Sequence, residues 1–144
     1  MSSLFKSLEI SATGLSAERL RMNVIANNIA NANTVSPANS EPFKRKAVIL
    51  EPISDNKFSL TLQENLKIQG VKVVGIVEDN SQPTVKYDPS NPMADENGFV
   101  KMSNVNVLNE MVDMISASRA YEANVTAIDA TKSMVKKTIN LANV

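Results

Sequence analysis

The sequence predicts an α+β fold, in which long N- and C-terminal helices pack as a coiled-coil-like pair and the middle forms a small β-rich subdomain. All six prolines of the 144 residues lie between positions 37 and 92, so residues that break helices are confined to the middle. Both ends instead repeat apolar residues at alternating steps of four and three, the spacing of coiled-coil helices. We therefore expect a helix over 1–33, a β-rich part over 34–105 and a second helix over 106–144.

The N-terminal helix has apolar residues at six of eight stepped positions, which predicts one continuous packing seam. These positions hold Leu4, Leu8, Ser11, Leu15, Glu18, Met22, Ile25 and Ile29. The helix should end in the run 27–34, because Asn side chains hydrogen-bond nearby backbone groups and stop helices. The run also predicts an amide network, since each Asn amide both donates and accepts hydrogen bonds. Its members are Asn27, Asn28, Asn31 and Asn33.

The middle contains short runs of β-branched and aromatic residues that predict strands. The predicted strands are 43–50, 58–62, 71–77, 84–87 and 99–102. Pro52 should end the first of them, and the acidic loop 87–100 should connect the last two as a long hairpin. A structured turn is favoured over a calcium site in this loop, because Gly98 follows Asp95 by only three residues.

A basic cluster, Lys44, Arg45 and Lys46, precedes the first long strand. The favoured interpretation is a solvated strand edge whose charges prevent pairing with other chains. Binding of phosphate or lipid is the weaker alternative.

The C-terminal helix repeats the same spacing over more than four heptads. Its stepped positions hold Val107, Met111, Met114, Ser118, Tyr121, Val125, Ile128, Lys132, Val135, Ile139 and Ala142. Asn106 is the expected N-cap, and Glu110 and Asp113 lie near the positive end of the helix dipole.

Both helices carry apolar or small residues on the side opposite the seam, where a solvent-facing helix would be charged. In the C-terminal helix this side holds Ala120, Ala123, Ala127 and Ala130. One pair of helices cannot bury both sides of both members, so we expect neighbouring copies to cover them and to order the chain ends. A three-helix bundle completed by the middle segment is the alternative.

The composition restricts the possible functions. Lys and Arg total 15, Asp and Glu total 15, and the chain has no His, Cys or Trp. These absences exclude thiol and imidazole catalysis and the usual zinc, haem and iron–sulfur ligands, so no cofactor or metal is expected. Zero net charge argues against nucleic-acid binding. An enzyme based on carboxylates stays possible, and it would need an apolar pocket with two convergent acids.

The sequence contains neither a predicted signal peptide nor an apolar run long enough to cross a bilayer. By these rules alone we expect an intracellular, soluble protein without a small-molecule substrate that the sequence can identify.

Three motifs resemble one known family. The Asn-rich run 27–34 is similar to the signature of flagellar axial proteins, which include rod, hook and hook-associated proteins. The stretch 87–100 together with 104–107, and the stretch 110–125, are similar to the proximal rod proteins within that family. The resemblance covers nearly the whole chain, and it is weakest over 35–41.

The resemblance implies a structural subunit that is not an enzyme. The two helices would form the innermost domain of a helical tube around an export channel, and 34–105 would form an outer domain. The seam would pair the helices, the alanine side would contact neighbouring subunits, and the four Asn would join the first helix to the outer domain. The seam residues meant are Leu8, Leu15, Met22, Ile25, Ile29, Met111, Met114, Tyr121, Val125 and Ile128.

The resemblance also implies partners and a location. The partners would be copies of the chain, the proximal rod proteins FlgB and FlgF, FliE at the MS-ring side, the distal rod protein FlgG and the flagellar type III export apparatus. The location would be the basal-body rod in the periplasmic space, reached from the cytoplasm without a cleaved signal. Two alternatives to this function remain: the chain could be a different proximal rod subunit of the same family, or a soluble coiled-coil adaptor that forms oligomers.

Overall fold

The computed structural model describes residues 2–37, 40–54 and 68–142, and these confirm the α+β fold with a long helix at each end. The elements in chain order are α1 (Ser2–Asn31), β1 (Val35–Ser36), β2 (Lys46–Ser54), β3 (Ile68–Glu78), β4 (Thr84–Tyr87), β5 (Phe99–Met102) and α2 (Val107–Ala142). Neither helix, over the residues described, combines the length and the apolar content that crossing a bilayer requires.

Both helices end or begin as the polar residues predict. At the end of α1, the carbonyl of Asn31 accepts hydrogen bonds from the backbone N–H and the hydroxyl of Thr34. At the start of α2, Asn106 Oδ1 accepts the N–H groups of Leu108 and Asn109 at 3.0 and 3.3 Å. The expected N-cap is therefore confirmed, and it satisfies two of the donors that the first helical turn leaves unpaired.

A three-stranded sheet has the strand order β1-β5-β4. Strands β4 and β5 pair antiparallel with Tyr87 opposite Phe99, so both predicted strands and their hairpin connection are confirmed. The connecting loop is a structured turn, as predicted, because Asp95 Oδ1 accepts the N–H groups of Asn97 and Phe99. The sequence does not predict strand β1, since its two residues are too few to show any alternation.

The other sheet pairs β2 with β3. Strand β2 continues through Pro52 to Ser54, so the prediction that it ends before this proline is wrong. In a two-stranded sheet both strands are edges, and an edge tolerates proline where its missing N–H would face away from the partner. Strand β3 contains the whole predicted run 71–77. The predicted strand 58–62 lies outside the described residues.

The chain divides into two compact units, and each combines parts of both helices with strand segments. The first unit contains the described residues of Met1–Leu20, Ile49–Gly75 and Ala117–Val144. The second contains those of Arg21–Val48 and Ile76–Ser116. The inner and outer domains expected over 1–33, 34–105 and 106–144 concern the chain within an assembly, and they stay a prediction.

The enclosed side of α2 coincides only in part with the predicted seam. Residues on that side are buried or half-buried: Glu110, Met114, Ala117, Tyr121, Asn124, Ile128, Thr131 and Val135. Met114, Tyr121, Ile128 and Val135 belong to the predicted seam as well. At the positions between them the enclosed residue comes one residue before the predicted one, as Glu110 does relative to Met111. The reason is that a small or polar residue recurs every seven positions, and a search for apolar residues passes over it.

Candidate functional site

A polar junction of Asn28, Arg45, Lys46, Asn104 and Glu110 connects α1, β2 and α2 within the second unit. Its centre is Asn28, which is fully buried on α1. The Asn28 amide donates to the Lys46 carbonyl at 2.8 Å and accepts the Lys46 N–H at 2.9 Å. These are the two bonds that a neighbouring antiparallel strand would make. One helical side chain therefore completes the pairing of the first residue of β2.

The preceding residue, Arg45, has its backbone bonded to different partners. Its N–H donates to Asn104 Oδ1 at 2.7 Å, and its carbonyl accepts the Asp79 N–H at 2.7 Å. The Asn104 amide also donates to the Asp79 carbonyl at 2.9 Å. Successive residues of an extended chain direct their backbone groups to opposite sides. The two Asn amides thus fix the entrance to β2 from both sides.

Glu110 of α2 completes the junction and is fully buried. Its Oε2 accepts a hydrogen bond from the Asn28 amide at 2.8 Å, and its Oε1 accepts one from Arg45 Nε at 2.6 Å. A buried carboxylate is costly unless it is paired and hydrogen-bonded. Here each of its oxygens has a partner.

Two further charges surround the pair of Arg45 and Glu110. Asp113 accepts from Arg45 Nη2 at 3.3 Å and lies 3.8 Å from Arg21 Nη2. Two arginines therefore meet two acids. The expectation that Arg45 belongs to a solvated edge is wrong, because its side chain is only 30% exposed and is bound to a buried acid. Its neighbour Lys44 is paired with Glu41 at 2.9 Å.

Helix α1 also supplies a hydrogen-bond acceptor to a strand within the first unit. The Thr13 hydroxyl accepts the Val71 N–H at 3.2 Å and donates to the Ile10 carbonyl at 2.7 Å. Gly70 lies directly against this hydroxyl with a φ of 128°. A side chain at position 70 would meet the Thr13 hydroxyl and would need a backbone conformation that only glycine adopts readily.

The two helices approach closely in the first unit at Gly14 of α1 and Asn124 of α2. A Cβ atom at position 14 would lie 3.0 Å from Asn124 Nδ2, which donates to the Ala120 carbonyl. Glycine therefore provides the room for the Asn124 amide, and α2 approaches α1 with a polar side chain at this level.

The outer face of the first two turns of α2 is apolar and exposed. The residues are spaced as one helix face, and they are Leu108, Met111, Val112 and Ile115. Their exposed fractions run from 51% for Met111 to 74% for Leu108. Contiguous apolar surfaces of this kind are typical of binding sites for other proteins. We call these four residues the α2 apolar face.

The predicted seam residues differ in exposure. On α1, Ile25 is buried, and Leu8, Leu15, Met22 and Ile29 are half-buried. On α2, Met114, Tyr121 and Ile128 are half-buried, whereas Met111 and Val125 are exposed. Among the alanines, Ala120 is half-buried, and Ala123, Ala127 and Ala130 are exposed. Their roles in pairing helices and contacting subunits stay predictions.

Of the four predicted Asn, Asn28 makes a link to the strand segment. Asn31 instead donates to the Asn27 carbonyl within its own helix, and Asn27 and Asn33 are exposed. Sequence reasoning did not predict that Glu110 and Arg45 pair with each other in the interior, because charged residues usually lie on the surface. The signal that could have found Glu110 is the seven-residue repeat that it shares with Ala117, Asn124 and Thr131.

A polar cavity of about 490 Å³ lies beside the junction. Its lining residues are Arg45, Asp79, Asn104, Asn106, Asn109, Val112 and Asp113. Asp113 is bound to Arg45, and Asp79 accepts the Ser81 N–H, which holds the pKa of the Asp79 carboxyl below its usual value. This lining differs from the apolar pocket with two convergent acids that a carboxylate enzyme would need.

Comparison with protein families finds two matches. The family described as "Flagella basal body rod protein" matches residues 8–37. The family described as "Flagellar basal body rod FlgEFG protein C-terminal" matches residues 96–141. The matched ranges include Asn28 in the first case and Asn104 and Glu110 in the second.

Curated proteins resemble the chain over nearly its whole length. The flagellar basal-body rod protein FlgC of Borreliella burgdorferi is 43% identical, over 94% of this chain and 95% of the relative. The FlgC protein of Bacillus subtilis is 42% identical, over 95% and 97%. The FlgC protein of Salmonella typhimurium is 38% identical, over 96% and 97%.

Proposed function

Because this chain belongs to the FlgC family of flagellar basal-body rod proteins, we propose that it builds the proximal rod as one subunit of a helical tube. The tube would transmit torque and surround the export channel. The observation that carries this function is the similarity to rod proteins over nearly the full length of the chain. The chain is a structural component of the basal body, and it assembles with other rod components.

The α2 apolar face supports the tubular assembly. Polymers that grow along an axis need surfaces that each new subunit can cover, and apolar surface gains most from being covered. Exposed apolar residues also continue towards the end of α2, where Ile139 is 54% exposed. In this proposal the helices over 1–33 and 106–144 form the inner domain, and 34–105 forms the outer one.

The proposed neighbours are copies of the chain, FlgB, FlgF, FliE at the MS-ring side and FlgG at the distal side. The chain would pass from the cytoplasm through the flagellar type III export apparatus and would assemble in the periplasmic space. Its role would be structural and not enzymatic, and the bound state of both cavity acids, Asp79 and Asp113, supports this.

A test uses Ala123→Lys, because the exposed alanine side of α2 is proposed to contact neighbouring subunits. The variant should be made and exported normally, but a strain that carries it in place of the wild-type chain should lack rods and should not swim. Ser133→Lys is the matched control, since it adds the same charge at an exposed polar position of the same helix.

Normal swimming by the Ala123→Lys strain would contradict the proposed role of the alanine side. If the wild-type chain did not restore rods in a strain that lacks it, the rod function itself would be contradicted. Discrete oligomers in place of tubes, seen by electron microscopy at high concentration, would favour a coiled-coil adaptor.

A further inference from the structure

The polar junction has a composition that stability alone does not explain. Replacing a buried ion pair with apolar residues of similar volume is often neutral or stabilising. Glu110 nevertheless lies fully buried, with Arg45 and Asn28 as its partners. On the basis of the proposed rod function, we infer that these three are positioning residues. They determine which backbone residue docks on the helices, so that every subunit enters the rod with one conformation.

The Asn28 amide can recognise only one type of backbone site. It offers one acceptor and one donor to the N–H and the carbonyl of a single residue, Lys46. In an extended chain the neighbouring residue presents these groups to the opposite side. A slip of β2 by one residue would therefore remove both bonds. Apolar contacts would re-form after such a slip, because residues 47–50 are apolar on both faces of the strand.

Glu110 and Arg45 close a ring that makes the selection strict. Asn28 binds Lys46, Lys46 is covalently joined to Arg45, Arg45 binds Glu110, and Glu110 binds Asn28. A slip would break the ion pair as well as the amide bonds, and it would leave Glu110 buried without its cation. Removing one partner of such a pair is far more costly than never having it.

The ring therefore raises the free energy of a conformation with slipped β2 more than it lowers the free energy of the native one. Copies that pack by repetition must present identical surfaces, since each interface is used again at the next subunit. A subunit whose β2 has slipped would be folded and unable to assemble. If the three residues have a positioning role, their loss blocks assembly and leaves the protein folded. If they only stabilise the fold, their loss lowers stability.

The decisive experiment replaces the whole ring with apolar residues in the full-length chain: Asn28→Leu, Arg45→Met and Glu110→Met together. The urea midpoint should equal or exceed that of the wild type. Hydrogen exchange at the Lys46 amide should rise about tenfold or more, which is the loss expected for one hydrogen bond of this kind. A strain with this variant should not form rods. A stable variant that swims like the wild type would overturn the inference.

If the three new side chains unfold the protein, Asn28→Leu alone decides, with Asn23→Leu as the control at an exposed position of α1. Exchange at Lys46 should then accelerate about tenfold more than exchange at Ala117. An equal acceleration at both amides would show general destabilisation and would overturn the inference. If a strain that carries the wild-type chain formed no rods, the proposed function would be contradicted. The comparison of exchange rates at Lys46 and Ala117 would still test the positioning role.

Discussion

The polar junction and the α2 apolar face lie in the same unit and reverse the usual distribution of residues. Asn28 and Glu110 are fully buried, whereas Leu108 and Val112 are 74% and 66% exposed. Charged residues are rarely buried unless they are paired, and a contiguous apolar surface usually serves a partner. Directional polar bonds therefore occupy the interior of this unit, and apolar residues are exposed on its surface, where we propose that neighbouring subunits cover them.

Glu110→Ala should produce the largest effect on folding. It leaves the half-buried Arg45 side chain paired with Asp113 but without its buried acid, and it removes one of the two acceptors of the Asn28 amide. The free energy of unfolding should fall by about 3 kcal/mol. Urea denaturation measures this change, with Glu96→Ala as the control at an exposed acid of the hairpin loop. A loss no greater than the control's would show that the junction is not part of the folded core.

Gly70→Ala should have an intermediate effect and would extend the comparison to the first unit. The new methyl group meets the Thr13 hydroxyl, and the φ of 128° strains any residue except glycine. A loss of about 2 kcal/mol in the free energy of unfolding is expected.

Gly75→Ala is the matched control in the same strand, since a methyl group there meets nothing within 4 Å. It should leave stability unchanged or raise it by about 0.5 kcal/mol. Thermal denaturation of both variants tests the pair, and equal values for the two would contradict the contact between Gly70 and Thr13.

Val112→Glu should have the smallest effect on the isolated chain and a large one on assembly. An exposed substitution changes the free energy of unfolding by less than about 0.5 kcal/mol. If the α2 apolar face contacts neighbouring subunits, the buried carboxylate should nevertheless prevent rod formation, which swimming assays and electron microscopy would detect. Asn109→Glu adds the same charge at an exposed polar position about 60° away from Val112 around the helix, and it should be tolerated better. Full swimming with Val112→Glu would show that the face stays exposed in the rod.

Sequence patterns predict the elements well where the signal is local. Heptad spacing indicates both helices, and Asn106 is identified as the N-cap because this role depends only on adjacent residues. Strands β4 and β5 have the predicted bounds, since turn residues enclose them. The resemblance of the Asn-rich run and the stretch 110–125 to rod proteins also identifies the family correctly.

Sequence patterns fail where the partner is distant in the chain. Nothing near Arg45 shows that its charge is bound to Glu110, and nothing near Pro52 shows that its strand has a free edge. The predicted seam of α2 departs from its enclosed side for the same reason. Asn124 is acceptable there only because Gly14 on another helix leaves room for it.

The hydrogen bond between Asn28 and Glu110 joins positions 82 residues apart, which has a consequence for the order of events in folding. Contacts between distant residues form late, because the chain must first lose the entropy of closing a long loop. A chain that emerges with its N-terminus first can form α1 early, but it cannot fasten β2 to α1 through the complete ring until Glu110 has arrived. The junction thereby makes the final conformation conditional on the last third of the chain.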